Sequence, residues 1–151
     1  MVDPGLVADR GAILDPLREH GHAPEDVTHV ILTHHHPDHA VNTALFPNAE
    51  VVDARARYVG DQWLDHSGDG YRVSPSVWLM LTPGHTSEDL SVIVETADAC
   101  THAWWHADPT PEADPLAEDQ AALEVSRRRI LATVDRVVPG HGEPFETGRS
   151  G

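Results

Sequence analysis

The alternation of apolar and polar positions along the chain predicts many short strands and two longer helices. Apolar residues recur at mostly helical spacing over residues 10–20, a pattern that Gly21 stops, and over residues 116–133, the longest helical stretch. Short runs rich in apolar or β-branched residues predict strands at 27–32, 50–53, 76–81, 90–95, 100–106 and 136–138. Strands therefore outnumber helices along this chain.

Histidines follow several of these predicted strands directly. The strand at 27–32 leads into a polar loop, and the strands at 76–81 and 136–138 lead into Pro-Gly-His turns. A short helix is expected at 39–45, with Asp38 as its N-cap. Residues 54–70 are polar and are expected to be irregular.

The composition is that of one globular domain, which we take to span residues 1–151. Of the 151 residues, 40% are hydrophobic and 23% charged, the ordinary shares for such a domain. No apolar run approaches the roughly 20 residues that span a bilayer, so no membrane partner is expected. Cys100 is the single cysteine, so no disulfide forms within the chain, which fits a cytoplasmic location.

The charge is strongly negative. The 25 acidic residues outweigh 10 basic ones, all of them arginine, and the formal net charge is −15. Such a surface repels a phosphate backbone, so nucleic-acid binding is not expected. The 12 histidines are the other unusual feature.

The first histidine cluster has the spacing of a metal site. It reads His34-x-His36-x-Asp38-His39. Alternate residues of an extended loop point the same way, so His34 and His36 can converge on one cation. Asp38 and His39 follow where the chain starts to coil and would be directed at a second point nearby. Imidazole nitrogen and carboxylate oxygen are the ligand atoms that zinc and similar divalent metals accept.

Three more candidate ligands lie at strand ends further along the chain: His85, Asp108 and His141. Two of them stand in Pro-Gly-His turns, where glycine lets the backbone approach closely. His35, between the first two ligands, is expected to point away from the metal and to serve at most as a hydrogen-bond partner. Arg127–Arg129 and Asp114 are expected to be solvated.

Several short motifs together resemble one superfamily. They are Thr33-His34-His35-His36-Pro37-Asp38-His39, Thr82-Pro83-Gly84-His85-Thr86, Ala107-Asp108 and Pro139-Gly140-His141-Gly142, preceded by Val2-Asp3-Pro4-Gly5. In this order they resemble the metallo-β-lactamase-fold hydrolases over essentially the whole chain. The segment 104–108 and the motif spacing look closest to small stand-alone members of the metallo-β-lactamase domain-containing protein 1 type.

The resemblance implies an α+β fold, a four-layer αββα sandwich with two divalent metal ions at one edge. Zinc suits the ligand set, and iron and manganese accept the same ligands. Carried over residue by residue, the first ion is held by His34, His36 and His85, and the second by Asp38, His39 and His141. Asp108 bridges both ions, and Asp38 and Asp108 are the catalytic carboxylates. His106 stands where many members have a small residue.

The same resemblance implies a metal-dependent hydrolase in which a metal-bound hydroxide attacks the substrate. The expected substrate is a small ester, thioester or lactone. A metal-dependent phosphodiesterase or ribonuclease is the main alternative, although the net charge of −15 disfavours binding of a polyanionic substrate. A catalytically inactive, metal-stabilised fragment is another.

The N-terminus departs from the pattern of the superfamily. Members usually begin with two or more strands before the Asp-x-Gly turn, whereas this chain starts at that turn, and the missing strands leave a sheet edge exposed. The chain is then a fragment, has a start assigned too far downstream, or has the edge covered by another chain. A homo-oligomer is one way to cover it.

Overall fold

The computed structural model describes residues 1–96, 100–103 and 114–148, with only the backbone of 100–103. Trp104, Trp105, His106 and Asp108 lie outside the described residues. The chain divides into two compact units, Met1–His66 and Ser67–Gly151, each with its own sheet. In the described part of the chain, no helix is long and apolar enough to cross a membrane.

The first unit contains two helices and a four-stranded sheet in the order β1-β2-β3-β4. Its helices are α1 (Gly11–Glu19) and the single turn α2 (Pro37–Ala40), which runs on into a 3-10 turn, Val41–Leu45. The strands are β1 (His29–Ile31), β2 (Glu50–Val52), β3 (Ala56–Val59) and β4 (Gln62–Asp65). A further 3-10 turn covers Pro24–Asp26.

Helix α1 packs on the sheet of the first unit, as its amphipathic pattern predicts. Its residues Ile13 and Leu17 lie against a buried cluster of Val30, Leu32 and Phe46. Strand β1 runs parallel to β2, so both strands end at the same edge of the sheet. That edge is where the polar loop after β1 begins.

Two predictions for this unit are wrong. Residues 54–70 are not irregular, because β3 and β4 pair as an antiparallel hairpin around the two-residue turn Gly60-Asp61. Asp38 is not an N-cap: it lies inside α2, whose N-cap is His36. Pro37 takes the first helical position, which Pro favours because its fixed φ suits a helix start.

The second unit contains a six-stranded sheet in the order β10-β9-β8-β7-β6-β5 and one long helix. The strands are β5 (Arg72–Ser74), β6 (Val77–Leu81), β7 (Leu90–Val94), β8 (Cys100–Ala103), β9 (Arg136–Pro139) and β10 (Phe145–Glu146). The helix is α3 (Gln120–Thr133). The strand predictions at 76–81, 90–95 and 136–138 are confirmed within a residue or two.

Helix α3 begins four residues later than the sequence pattern predicts. Asp119 ends the preceding loop, and its side chain accepts a hydrogen bond from the Ala122 amide, so it is the N-cap. The buried face of α3 includes Ile130, which packs with Met80 and Val137 of the sheet. This packing fixes α3 against the second unit's own strands.

Candidate metal centre

The loop after β1 brings two ligand atoms of the first cluster together. His34 is 1% exposed, while His36 lies at the surface. His34 Nε2 and His36 Nδ1 are 3.0 Å apart, and the two rings meet edge to face. Two ring nitrogens at this separation can be bridged by a proton or can point at one cation, as the alternation of the loop predicts.

The proton on His34 is positioned by its neighbours. Its Nδ1 lies 3.1 Å from Thr33 Oγ1, and that hydroxyl donates to Asp3 Oδ2 at 2.6 Å. Because the Thr33 proton is committed to Asp3, the hydroxyl accepts from Nδ1–H. His34 therefore keeps its lone pair on Nε2, the nitrogen that faces His36.

Asp3 also orients His39. Asp3 Oδ2 is 2.9 Å from His39 Nδ1, and both side chains are buried. An ionised carboxylate only accepts hydrogen bonds, so Nδ1 carries the proton and Nε2 carries the lone pair. Asp3 adopts φ 41°, an uncommon conformation for a residue other than glycine, which marks a backbone held by its surroundings.

Asp38 and His39 form the second pair of candidate ligands. They are neighbours in α2, with 3.6 Å between Asp38 Oδ2 and His39 Nε2. The Asp38 carboxylate is half exposed, whereas His39 is 4% exposed. One carboxylate oxygen and one imidazole nitrogen therefore lie side by side, a donor pair that divalent metals accept.

His85 is fixed in the second unit by a buried carboxylate. It stands in the Pro-Gly-His turn that follows β6, and its Nδ1 is 3.0 Å from Asp114 Oδ2. The side chains of His85 and Asp114 are 2% and 0% exposed. As with His39, the carboxylate accepts a hydrogen bond from Nδ1–H, so the lone pair lies on Nε2.

The turn that bears His85 is attached to helix α3. The backbone amides of Glu118 and Asp119 donate to the carbonyls of His85 and Gly84, at 3.0 and 2.9 Å. Ser126 Oγ donates to the Pro83 carbonyl at 2.8 Å. The position of His85 is therefore set by the start of α3 as well as by β6.

Asp89 closes the other side of this turn. Its carboxylate accepts from the backbone amide and the hydroxyl of Thr86 at 2.8 and 2.7 Å. Burial raises the pKa of Asp89, and its hydrogen bonds and the neighbouring His85 only partly offset that effect. The turn is thus held by groups on both sides.

His141, the last predicted histidine ligand, is exposed in the turn after β9, at the end of a strand as expected. The carboxylate predicted to bridge the ions, Asp108, lies outside the described residues.

His35 points away from its neighbours in the loop, as the alternation predicts. Its Nε2 is 3.0 Å from Asp53 Oδ2, and its ring is half exposed. Asp53 also accepts from Tyr58 and from the backbone amides of Arg55 and Ala56. The side chain between two candidate ligands is thereby attached to the turn between β2 and β3.

The prediction that Asp114 and Arg127–Arg129 are all solvated is wrong in two places. Arg128 and Arg129 are exposed, but Arg127 is 3% exposed and Asp114 is 1% exposed. Burial lowers the pKa of Arg127, and the charge of Asp114 opposes that effect. Asp114 is the residue that sequence reasoning missed, since no local motif links it to a histidine 29 positions away.

The donor set fits a divalent metal. Its described atoms are imidazole nitrogens and one carboxylate oxygen, and two of the rings already have their Nδ1 protons fixed by carboxylates. That is how metal-binding histidines are commonly supported in proteins. The residues present therefore agree with a metal centre.

Comparison with known proteins places the chain in a family. The model of the metallo-beta-lactamase superfamily matches residues 1–141. The chain belongs to this superfamily and has its α+β fold of mixed helices and sheets.

Two individual relatives show how much of the chain is similar to known proteins. Metallo-beta-lactamase domain-containing protein 1 of Homo sapiens is 37% identical over an alignment of 159 positions, which covers 99% of this chain and 60% of that protein. An N-acyl homoserine lactonase of Bacillus cereus is 30% identical over 105 residues, covering 60% of this chain and 42% of the lactonase. The chain thus spans about 60% of the length of the human relative.

A solved structure shares the fold. AidC, a dizinc quorum-quenching lactonase, superposes with a TM-score of 0.70 over 91% of this chain and 66% of its own, at 17% sequence identity. This likeness supports the fold assignment.

Proposed function

We propose that the chain is a dinuclear metal-dependent hydrolase acting on a small lactone, or on a related ester or thioester. In this proposal His34, His36 and His85 would hold one ion, and Asp38, His39 and His141 would hold the other. Asp108 would supply a further carboxylate to the pair of ions in this proposal. Zinc is the metal that the nitrogen-rich donor set favours.

The observation that carries the proposal is that His39 and His85 are held in the same tautomer, each by its own carboxylate. Each ring donates a hydrogen bond from its Nδ1–H to a buried carboxylate, Asp3 or Asp114, at 2.9 and 3.0 Å. Buried imidazoles fixed in this tautomer present Nε2 as a ligand atom. A fold that needed only packing at these places would be served as well by apolar side chains.

The reaction class follows from the metals and the chain's own groups. When bound, two divalent cations lower the pKa of water towards neutrality and polarise the carbonyl of a substrate. Asp38 is half exposed beside His39, so it can accept a proton from water at the edge of the site. The described part of the site therefore contains a carboxylate able to take part in hydrolysis.

The substrate class rests on charge and on one relative. The formal net charge of −15 disfavours a polyanion such as RNA. The 30% identical relative from Bacillus cereus is an N-acyl homoserine lactonase. A lactone has a reactive carbonyl and no charge of its own on the scissile group, which suits both observations.

The test compares His36→Ala with His22→Ala, the same deletion at an exposed histidine after α1. Metal content is measured by mass spectrometry, and hydrolysis is measured on an N-acyl homoserine lactone, an aryl ester, a thioester and a phosphodiester. We expect two metal ions per wild-type chain and lactone or ester cleavage. His36→Ala should lose metal and slow hydrolysis by more than about 100-fold, beyond the loss typical of a residue that merely supports a ligand.

His22→Ala should match the wild type in both measurements. A wild-type chain that binds no metal, or a His36→Ala rate equal to the wild-type rate, overturns the proposed function. Cleavage of the phosphodiester alone would replace the lactone with the phosphodiesterase alternative.

A further inference from the structure

We propose that Asp114 is a positioning residue that sets the affinity of the first metal site by fixing the tautomer and orientation of His85. This inference rests on the proposed function, since it concerns the ion that His85 would hold. Asp114 touches neither substrate nor metal in the proposal, and it acts only through the histidine.

The contact has the geometry that this role requires. Asp114 Oδ2 lies 3.0 Å from His85 Nδ1, and neither side chain is more than 2% exposed. A carboxylate that accepts a hydrogen bond from Nδ1–H keeps the proton on that nitrogen and leaves Nε2 as the ring nitrogen able to bind a cation. It also makes the imidazole a stronger base, which strengthens a bond to a divalent metal.

Asp114 is itself held firmly. Its second carboxylate oxygen, Oδ1, accepts from the Leu116 amide at 2.8 Å. Its backbone amide donates to Gln120 Oε1 at 3.1 Å, and Gln120 Nε2 donates to its backbone carbonyl. The side chain of Gln120, the first residue of α3, thus hydrogen-bonds both the amide and the carbonyl of Asp114. With its Oδ1 bound to the Leu116 amide as well, the carboxylate has little freedom to turn away from His85.

The charge of Asp114 is balanced within the same unit. Arg127, on the buried face of α3, interacts electrostatically with Asp114. A buried carboxylate with no compensating charge or hydrogen bond would be strongly destabilising. The positive charge of the buried arginine therefore compensates the charge of the carboxylate that contacts His85.

The test uses graded variants of Asp114. Asp114→Asn keeps the shape and one acceptor but removes the charge, while Asp114→Ala removes the acceptor as well. The matched control is Asp69→Asn, which removes a carboxylate bound to Arg129 on the surface of the same unit. The dissociation constant for Zn²⁺ is measured by competition with a chromophoric chelator.

We expect Zn²⁺ binding to weaken about 10-fold in Asp114→Asn and up to about 100-fold in Asp114→Ala. Asp69→Asn should bind as the wild type does. If the wild type binds no Zn²⁺, the proposed function fails. If the wild type binds and both Asp114 variants match it, only the inference about Asp114 is overturned.

A second measurement separates positioning from folding and works on the wild type alone. In the Zn²⁺-loaded protein, two-bond ¹H–¹⁵N NMR correlations of the His85 ring should show a proton on Nδ1 and a metal-bound Nε2. The opposite assignment overturns the inference even if the Asp114 variants do not fold. Where they do fold, equal melting temperatures of the metal-free forms would show that the loss of affinity is not a loss of structure.

Discussion

A Cβ placed on Gly84 would lie 2.3 Å from the Cα atom of Leu123, a separation that real side chains do not reach. Leu123 is in the first turn of α3, and the nearest atoms belong to its backbone rather than to a flexible side chain. Gly84 also adopts φ +149°, where a side chain adds strain. The Pro-Gly-His turn and helix α3 are therefore in contact only because residue 84 lacks a side chain.

We expect Gly84→Ala to reduce the free energy of unfolding by about 3 kcal/mol, the upper part of the range for overpacking. The control is Gly60→Ala, because Gly60 also has a positive φ but no atom within 4 Å of the added Cβ. Urea denaturation measures both variants. Equal losses in the two would show that backbone conformation, and not the contact with Leu123, makes Gly84 necessary.

Asp3→Asn is expected to weaken metal binding about 10- to 100-fold. The carboxylate of Asp3 accepts from His39 at 2.9 Å and from the Thr33 hydroxyl at 2.6 Å, so its charge supports two ligand rings at once. Isothermal titration with Zn²⁺ measures the change. Asp15→Asn, which removes an exposed carboxylate paired with Arg18, should bind as the wild type does, and an equal effect of both substitutions would contradict the role of Asp3.

Asp53 is expected to make stability depend on acid pH. Burial by itself raises the pKa of Asp53, but hydrogen bonds from two backbone amides, the Tyr58 hydroxyl and the His35 ring outweigh it and leave the pKa below its ordinary value. The folded state therefore binds this proton less tightly than the unfolded state. The resulting stabilisation is complete above the ordinary pKa, about 4, and is lost as the pH falls through the lower folded value.

The difference in unfolding free energy between wild type and Asp53→Asn should accordingly be larger at pH 6 than below about pH 3. Chemical denaturation at several pH values measures it. The control is Asp61→Asn, which removes an exposed carboxylate at the hairpin turn that makes none of these contacts. A difference for Asp53→Asn that stays constant with pH would contradict the assignment.

Ile130→Ala should cost about 2–5 kcal/mol in the free energy of unfolding. Ile130 is 2% exposed and packs with Met80, Ile93 and Val137, so its removal leaves a cavity under α3. Val125→Ala on the same helix is the control, since Val125 is 67% exposed and its change should stay below about 1 kcal/mol. Thermal and urea unfolding give both values, and comparable losses would argue against the packing of this face.

The local sequence pattern was enough to predict most helices and strands and the close approach of His34 to His36. β-branched runs predicted β1 and β7, and the histidine spacing predicted the pairing of His34 with His36. The hairpin of β3 and β4 was missed because its strands are polar and only half buried. The turn dipeptide Gly60-Asp61, with Tyr58 before it and Trp63 after it, was an available signal for a hairpin in the sequence. In the structure these two rings lie 5.1 Å apart across the strands.

The supports of the ligands could not be predicted in the same way. Asp114 lies in an acidic, proline-containing stretch, where a carboxylate ordinarily faces water. Arg127 is the first of three consecutive arginines, and only the rotation of α3 buries it while its two neighbours stay exposed. Such burial depends on contacts between residues far apart in sequence, which a local pattern does not contain.

The close fit between Gly84 and Leu123 couples the interior of the second unit to the ligand His85. Because two backbone hydrogen bonds and this close contact attach the turn to the start of α3, we expect a tilt of the helix to move the imidazole. Repacking the apolar layer around Ile130 would then tune metal affinity without altering a single donor atom. Substitutions in the core of this unit would then change how His85 binds a metal ion.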